Sequence, residues 1–173
     1  LGDTLVETEE IFKKEKPDGL LILGDTNSTI CALIAKRMSI PVYHMEAGNR
    51  SFDLNVPEEI NRKVVDNIAD FNLVYTENAR RNLLSEGFSP RFIYLTGSPM
   101  KEVLAFYIND VNKSQILKNL NLKEKSYILA SIHREENTDE IGKLDKIIRS
   151  FSEVGAHFKK NIILSVHPRT KNR

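Results

Sequence analysis

Short apolar runs alternate with amphipathic segments along the whole chain. Residues 19–23 are a continuous apolar stretch, as expected of a strand that is buried on both faces of a parallel sheet, and residues 127–132 form a second largely apolar run that predicts a strand. In segments such as residues 4–15, apolar positions recur at helical spacing between charges, and after Pro57 the same spacing predicts a buried face of Ile60, Val64, Val65 and Ile68. Strand and helix signals that alternate in this way predict an α/β fold with parallel sheets and right-handed crossovers.

The pattern predicts six strands and divides them into two groups. The strands are expected at residues 19–23, 41–45, 71–75, 92–95, 127–132 and 162–166. Amphipathic helices are expected at residues 4–15, from 27, from 57, at 77–86, after 98 and at 139–151. A polar stretch over residues 109–125 separates the fourth strand from the fifth, so we expect a domain boundary near residues 97–115.

Polar residues gather at the carboxyl ends of the predicted strands. These ends are GDT at 24–26, HME at 44–46, YTE at 75–77, TGS at 96–98, HRE at 133–135 and HPR at 167–169. The opposite ends of these strands carry few side chains that could act in catalysis or ligand binding. Because ligands of open parallel sheets bind beyond the carboxyl ends of the strands, we predict one site to which both halves contribute.

The character of these strand ends favours an anionic ligand. Helices are predicted to begin just after Asp25, Gly97 and Asn137, and their first N–H groups are free to bind an anion such as a diphosphate. Arg50, Arg134 and Arg169 add guanidinium groups that can bind phosphate oxygens through two parallel hydrogen bonds.

Three acids, Asp25, Glu46 and Glu58, lie in the same region. Carboxylates near phosphate-binding elements are costly unless they transfer protons or hold a metal. The acids and histidines lack the close spacing of metal ligands, which makes a metal-dependent phosphoesterase the weaker hypothesis.

Each acid also has a purely structural interpretation. Asp25 is placed to cap the next helix, and Glu46 is placed to pair with Arg50. Glu58 follows Asn55 at the spacing of a capping box.

Two other residues in this region are more simply explained by a structural role. Glu59 precedes Lys63 by four positions, which is typical of an exposed ion pair on a helix. His44, within its strand, is more simply interpreted as a core histidine than as a site residue.

The composition gives no sign of a nucleic-acid or membrane partner. The chain has 25 Lys and Arg and 24 Asp and Glu, so it has no large net charge that would favour binding to nucleic acid or to an anionic membrane. No apolar run approaches the length of a membrane span, and the single Cys31 excludes an internal disulfide. We expect a cytoplasmic protein without nucleic-acid or membrane partners.

The first residues of the sequence already have the pattern of a helix interior. We therefore also expect this chain to be a fragment of a longer one.

Six motifs in order resemble the non-hydrolysing UDP-N-acetylglucosamine 2-epimerases. They are GDTNS at 24–28, HMEAGNRSFD at 44–53, VPEEINR at 56–62, LTGSPM at 95–100, HREEN at 133–137 and HPRT at 167–170. The resemblance implies two Rossmann-like doubly wound domains in a GT-B-like arrangement, with the active site in the cleft between them. Residues 1–97 would be the later part of the first domain and 98–173 the early part of the second, both incomplete.

The resemblance also implies an activity and its residues. In the reaction that the resemblance implies, UDP is eliminated from a UDP-2-acetamido sugar as the C2 proton leaves, and it is then added back with protonation on the other face of C2. Asp25, Glu46 and Glu58 would transfer protons, and His133 would act on the leaving diphosphate. Substrate-binding roles fall on Arg50, Ser98, Arg134, Glu136, Asn137 and His167. No cofactor or metal is expected, and the full-length protein would be a homodimer.

Two alternatives remain open. The sequence NRSF at 49–52 differs from the commonest sequence of this loop in the family. It resembles the branch that acts on UDP-2-acetamido-2,6-dideoxy-L-talose and forms UDP-N-acetyl-L-fucosamine. A module that binds a sugar nucleotide without chemistry is the second alternative.

Overall fold

The structure is a computed structural model that describes residues 1–132 and 141–166. The chain separates into two compact units, Leu1–Ala105 and Phe106–Arg173. The strands are β1 (Leu20–Leu23), β2 (Val42–Met45), β3 (Phe71–Val74), β4 (Ile93–Leu95), β5 (Tyr127–Ile132) and β6 (Asn161–Val166). The helices are α1 (Gly2–Glu15), α2 (Cys31–Arg37), α3 (Pro57–Ile68), α4 (Glu77–Ser85), α5 (Met100–Lys113), α6 (Ile116–Asn119) and α7 (Ile141–Phe158).

The first unit is built on a parallel sheet of four strands in the order β1-β2-β3-β4. Leu23 pairs with Met45, which pairs with Leu73, so the first three strands end at nearly the same level. The predicted α/β class with parallel strands is therefore confirmed. The turns that follow these strands lie side by side at one edge of the sheet.

In the second unit, β5 and β6 pair in parallel over six residues. Helix α7 extends to Phe158, beyond the predicted end at residue 151. Gly155 permits its close approach to β6, since a Cβ there would lie 3.2 Å from Ile162 Cγ1.

The core of the first unit lies on one face of its sheet. One cluster joins the helices α1, α2 and α3 to β1 and β2, and a second joins α4 to β3 and β4. Their buried members are Phe12, Ile22, Ala32, Ala35, Ile40, Val42 and Val65 in the first, and Ala47, Val74, Ala79, Leu83 and Ile93 in the second.

The opposite face of this sheet is largely exposed, so the prediction that residues 19–23 are buried on both sides is wrong. Leu21 and Leu23 are 63% and 61% exposed, because the core helices pack only on the side of Ile22. Tyr43 and Phe71 stack on this outer face with ring centroids 5.1 Å apart.

Helix α3 also differs from its prediction. The pattern indicates a buried stripe that includes Ile60 and Val64, yet these side chains are 49% and 36% exposed. Instead, α3 buries polar residues, among them Arg62 and Asp66. The cause is the position of the helix, which packs against the polar turns at the strand ends. Within the described ranges, no helix is long and apolar enough to cross a membrane.

Candidate active site

Asp25 and Glu46 lie on neighbouring turns at the carboxyl edge of the first sheet. Asp25 follows β1 and Glu46 follows β2, and these strands pair directly. The nitrogen of Gly24 donates to the carbonyl of Met45 at 3.1 Å. A Cβ on Gly24 would lie 3.2 Å from Oε2 of Glu46, so the absence of a side chain leaves room for this carboxylate. The structure thus brings two of the three predicted acids together.

The backbone of Glu46 adopts an uncommon conformation. Its φ is +67°, in the left-handed region that residues other than glycine rarely occupy. Such a conformation persists only where surrounding contacts hold it.

Arg62 provides one of these contacts. Its guanidinium forms an ion pair with Asp25 and donates a hydrogen bond to the carbonyl oxygen of Glu46. Asn61 donates to the carbonyl of Asp25 at 3.0 Å and to Oδ1 of Asn27 at 3.1 Å. Helix α3 thus fixes both acid-bearing turns. Neither Asn61 nor Arg62 has a predicted role, although both lie in the motif at 56–62.

A buried polar network lies beneath the same turns. His44 is fully buried, and its Nε2 donates to the carbonyl of Gly24 at 2.8 Å. Its Nδ1 lies 2.8 Å from Oδ1 of Asp66, which is also fully buried. The nitrogen of Gly48 donates to the same carboxylate at 3.2–3.3 Å. His44 is therefore a core histidine, as favoured, and Asp66 is the partner that the sequence did not reveal.

Arg50 is bound by protein acids. It forms a forked pair with Glu86 at 2.8 and 2.6 Å, and Nη1 donates to Asp66 at 2.8 Å. Burial alone would lower the pKa of Arg50, but the bonds to Glu86 and the charge of Asp66 raise it above its ordinary value. In the part of the chain that the structure describes, Arg50 pairs with these two acids and not with Glu46. Its substrate-binding role stays a prediction, and the geometry favours a structural one.

Glu59 is only 3% exposed, so the prediction that its pair with Lys63 is exposed to solvent is wrong. Lys63 Nζ does lie 3.7 Å from Oε1. The stronger contact is to the loop, because Oε2 accepts from the nitrogen of Ser51 at 2.8 Å and from its hydroxyl at 3.2 Å. Glu59 therefore ties the loop after β2 to the start of α3.

The helix-capping interpretations of two acids are not supported. The turn after β1 begins with Thr26 as N-cap of a 3₁₀ segment, Asn27–Ile30, so Asp25 does not cap it. Helix α3 has Val56 as N-cap without a side-chain cap, so Glu58 forms no capping box with Asn55. Glu58 is exposed in the first turn of α3.

Tyr75, the first residue of the polar strand end at 75–77, has no role assigned to it from the sequence. Its hydroxyl is buried and, among the described residues, has no hydrogen-bond partner. Burial and then the charge of Glu46 raise its pKa. Tyr75 therefore belongs to the electrostatic surroundings of Glu46, at the end of the neighbouring strand β3.

The remaining predicted residues divide into two groups. Ser98 is exposed in the turn after β4, where its hydroxyl accepts from the nitrogen of Met100 at 3.3 Å at the start of α5. The other predictions lie outside the described residues, namely His133, Arg134, Glu136, Asn137 and His167.

Comparison with known proteins gives the same family throughout. The sequence model described as UDP-N-acetylglucosamine 2-epimerase matches residues 1–173. A solved structure of UDP-N-acetylglucosamine 2-epimerase from Rickettsia bellii is 45% identical with a TM-score of 0.90, covering 99% of this chain and 45% of that one. The Methanocaldococcus jannaschii enzyme, solved with UDP-GlcNAc and UDP, is 38% identical with a TM-score of 0.89, covering 99% and 48%.

A relative with a different substrate name is almost as similar. The UDP-2,3-diacetamido-2,3-dideoxy-D-glucuronate 2-epimerase of Pseudomonas aeruginosa is 36% identical over 173 residues, which cover 98% of this chain and 48% of that protein. The chain spans about half the length of the curated relatives it matches. Its GT-B-like α/β fold and its sequence agree with these proteins, and the chain belongs to the UDP-N-acetylglucosamine 2-epimerase family.

Proposed function

We propose that the full-length protein containing this chain interconverts the C2 epimers of a UDP-2-acetamido sugar, of the UDP-GlcNAc and UDP-ManNAc type. Family membership supports the reaction class. The observation that carries the assignment to residues is the placement of Asp25 and Glu46 on adjacent turns, joined by Arg62.

The reaction demands groups on both faces of C2. The C2 proton is weakly acidic, so removal of the proton is coupled to loss of UDP from C1. A base takes the proton, the C1–O bond breaks, and the electron pair of the C–H bond forms the C1=C2 bond of a glycal. UDP then adds back to C1 while an acid delivers a proton to the opposite face of C2.

Asp25, Glu46 and Glu58 are the groups we assign to these transfers. They come from three separate elements, which allows carboxylates to approach the sugar from different directions. Asp25 and Glu46 are held in place by Arg62, whereas Glu58 is exposed at the start of α3. A base that is held rigidly and close to the reacting carbon avoids the entropy cost of orientation.

The leaving UDP requires stabilisation of its charge. We assign His133 to the departing diphosphate, with Arg134, Glu136, Asn137, His167 and Ser98 as further substrate contacts. Arg50 was also predicted to bind substrate, but its pairing with Asp66 and Glu86 supports a role within the protein.

The substrate is proposed from the relatives. The Methanocaldococcus jannaschii structure is described as a complex with UDP-GlcNAc and UDP. The Pseudomonas aeruginosa relative acts, by its name, on a diacetamido-glucuronate, so related sugars are the natural competitors. The predicted 6-deoxy-talose substrate is tested beside them because it rests on the loop at 49–52.

Three broader proposals accompany the reaction. Residues 1–97 and 98–173 are assigned to the two Rossmann-like domains. The structure divides into two compact units after Ala105, which supports a domain boundary close to residue 97. The full-length protein is proposed to act as a homodimer. We place it in the cytoplasm, since its lone Cys31 suits a reducing compartment.

The test is direct. The full-length protein is incubated separately with UDP-GlcNAc, the diacetamido-glucuronate nucleotide and the 6-deoxy-talose nucleotide, and the configuration at C2 is followed by NMR. We expect epimerisation of UDP-GlcNAc. Binding of a sugar nucleotide without any epimer or free UDP would instead establish a non-catalytic module.

A further inference from the structure

His44 lies between two oxygen atoms that both require a donor. Nε2 is 2.8 Å from the carbonyl of Gly24, and Nδ1 is 2.8 Å from Oδ1 of Asp66. A neutral imidazole carries one N–H and satisfies one of these oxygens. A flipped ring would place carbon atoms against both. Because His44 and Asp66 are fully buried, water does not replace the missing donor. The His44–Asp66 pair therefore holds one proton more than a neutral imidazole and a carboxylate together would hold.

The surroundings of Asp66 place that proton on the ring. Nη1 of Arg50 donates to Oδ2 of Asp66 at 2.8 Å, and the nitrogen of Gly48 donates at 3.2–3.3 Å. Donors of this kind stabilise a carboxylate rather than a carboxylic acid. Arg50 in turn pairs with Glu86. A cationic His44 gives two cations and two anions in alternation, which leaves this chain of charges, buried except at Glu86, neutral.

We propose that His44 is a buried imidazolium cation which, together with Asp66, positions both acid-bearing turns. Its Nε2 holds the carbonyl of Gly24, the residue before Asp25. Asp66 holds the nitrogen of Gly48, two residues after Glu46. The positioning role rests on the proposed function, whereas the charge state does not depend on it.

The charge state is tested by NMR on the full-length protein labelled with ¹⁵N-histidine. The His44 signals are identified by their loss in His44→Gln, and the exposed His157 supplies a reference in the same spectrum. We expect both nitrogens of His44 to carry protons at neutral pH. An unprotonated Nδ1 beside a protonated Nε2 would place the proton on Asp66 and overturn the proposal.

Asp66→Asn separates charge from hydrogen bonding. Its amide can donate to Nδ1 of a neutral His44, so the contact survives while the carboxylate is lost. We expect Nδ1 to lose its proton in this variant. A His44 that keeps both protons opposite Asn would show that Asp66 does not hold the charge, which contradicts the proposal.

The positioning role is read from kinetics. In Asp66→Asn we expect kcat to fall about 10- to 100-fold, the range seen when groups that orient reactive residues are removed, with KM changed by less than about threefold. Asn67→Ala, at an exposed neighbouring position on α3, is the control and is expected to stay within about twofold. Unchanged kcat in Asp66→Asn would refute positioning. A wild-type protein without epimerase activity but with a doubly protonated His44 would refute the proposed function alone.

Discussion

The guanidinium of Arg62 forms an ion pair with the carboxylate of Asp25 and reaches the carbonyl oxygen of Glu46 with another N–H group. One side chain of α3 therefore joins the turns that follow β1 and β2. The relative position of the two acids depends on this bridge, because each acid lies on a separate turn and Glu46 has a positive φ.

Replacement of Arg62 is expected to impair turnover. Lysine keeps the charge of Arg62 but lacks the planar fork that serves two acceptors, so Arg62→Lys should lower kcat about 100-fold through misplacement of the acids. Steady-state kinetics of the full-length protein measure this loss. The matched control is Arg81→Lys, since Arg81 is 72% exposed on α4 and pairs only loosely with Glu77 at 3.6 Å. Equal activities of the two variants would show that Arg62 does not position the two acids.

Glu58 is expected to act in proton transfer. Glu58→Gln keeps the shape of the side chain but cannot exchange a proton, so kcat should fall at least about 100-fold. Because Glu58 is exposed and, among the described residues, no side chain caps the start of α3, the urea midpoint should hardly change. Turnover is compared with that of Glu10→Gln on the exposed surface of α1. Near-normal turnover in Glu58→Gln would exclude the catalytic assignment.

Glu59, the next residue, is expected to affect stability. Glu59→Ala leaves the nitrogen of Ser51 without its buried acceptor, which should cost about 1–3 kcal/mol of unfolding free energy. Glu58→Ala is the matched control and should stay within about 0.5 kcal/mol, as is usual for exposed positions. Urea denaturation of the full-length variants gives both values. Equal stabilities would contradict the structural role of Glu59.

Gly48 is expected to tolerate no side chain. A Cβ there would lie 2.4 Å from the carbonyl oxygen of Ala79 and 2.9 Å from Cγ of Leu83, and φ is +73°. Gly48→Ala should therefore lose about 2–5 kcal/mol through steric overlap and backbone strain. Gly87→Ala has φ of +90° but open space around the new methyl, so only the strain of about 1–2 kcal/mol remains. Urea midpoints that rank the variants in the opposite order would refute the packing argument.

The strands and most helices could be predicted from the sequence because local patterns determine them. Continuous apolar runs marked β1 and β5, and Pro57 marked the start of α3. The buried face of α3 could not be predicted in this way. Its hydrophobic spacing indicated Ile60 and Val64, whereas the helix buries polar side chains that meet the turns of the sheet.

The candidate site was predictable in position but not in its connections. Strand ends identified Asp25 and Glu46, since parallel strands bring their carboxyl ends to one edge. The ion pair of Asp25 with Arg62 and the contact of His44 with Asp66 join residues 37 and 22 positions apart. Such contacts depend on how α3 packs on the sheet, and a single sequence carries no local signal for them.

The proposed epimerisation requires that the proton at C2 of the sugar is exchanged with solvent. The full-length protein is incubated with UDP-GlcNAc in heavy water, and both epimers are examined by NMR. We expect solvent deuterium at C2 of the product, because one group removes the original proton and another delivers a new one from the opposite face. A C2 epimer formed without deuterium at that carbon would contradict it.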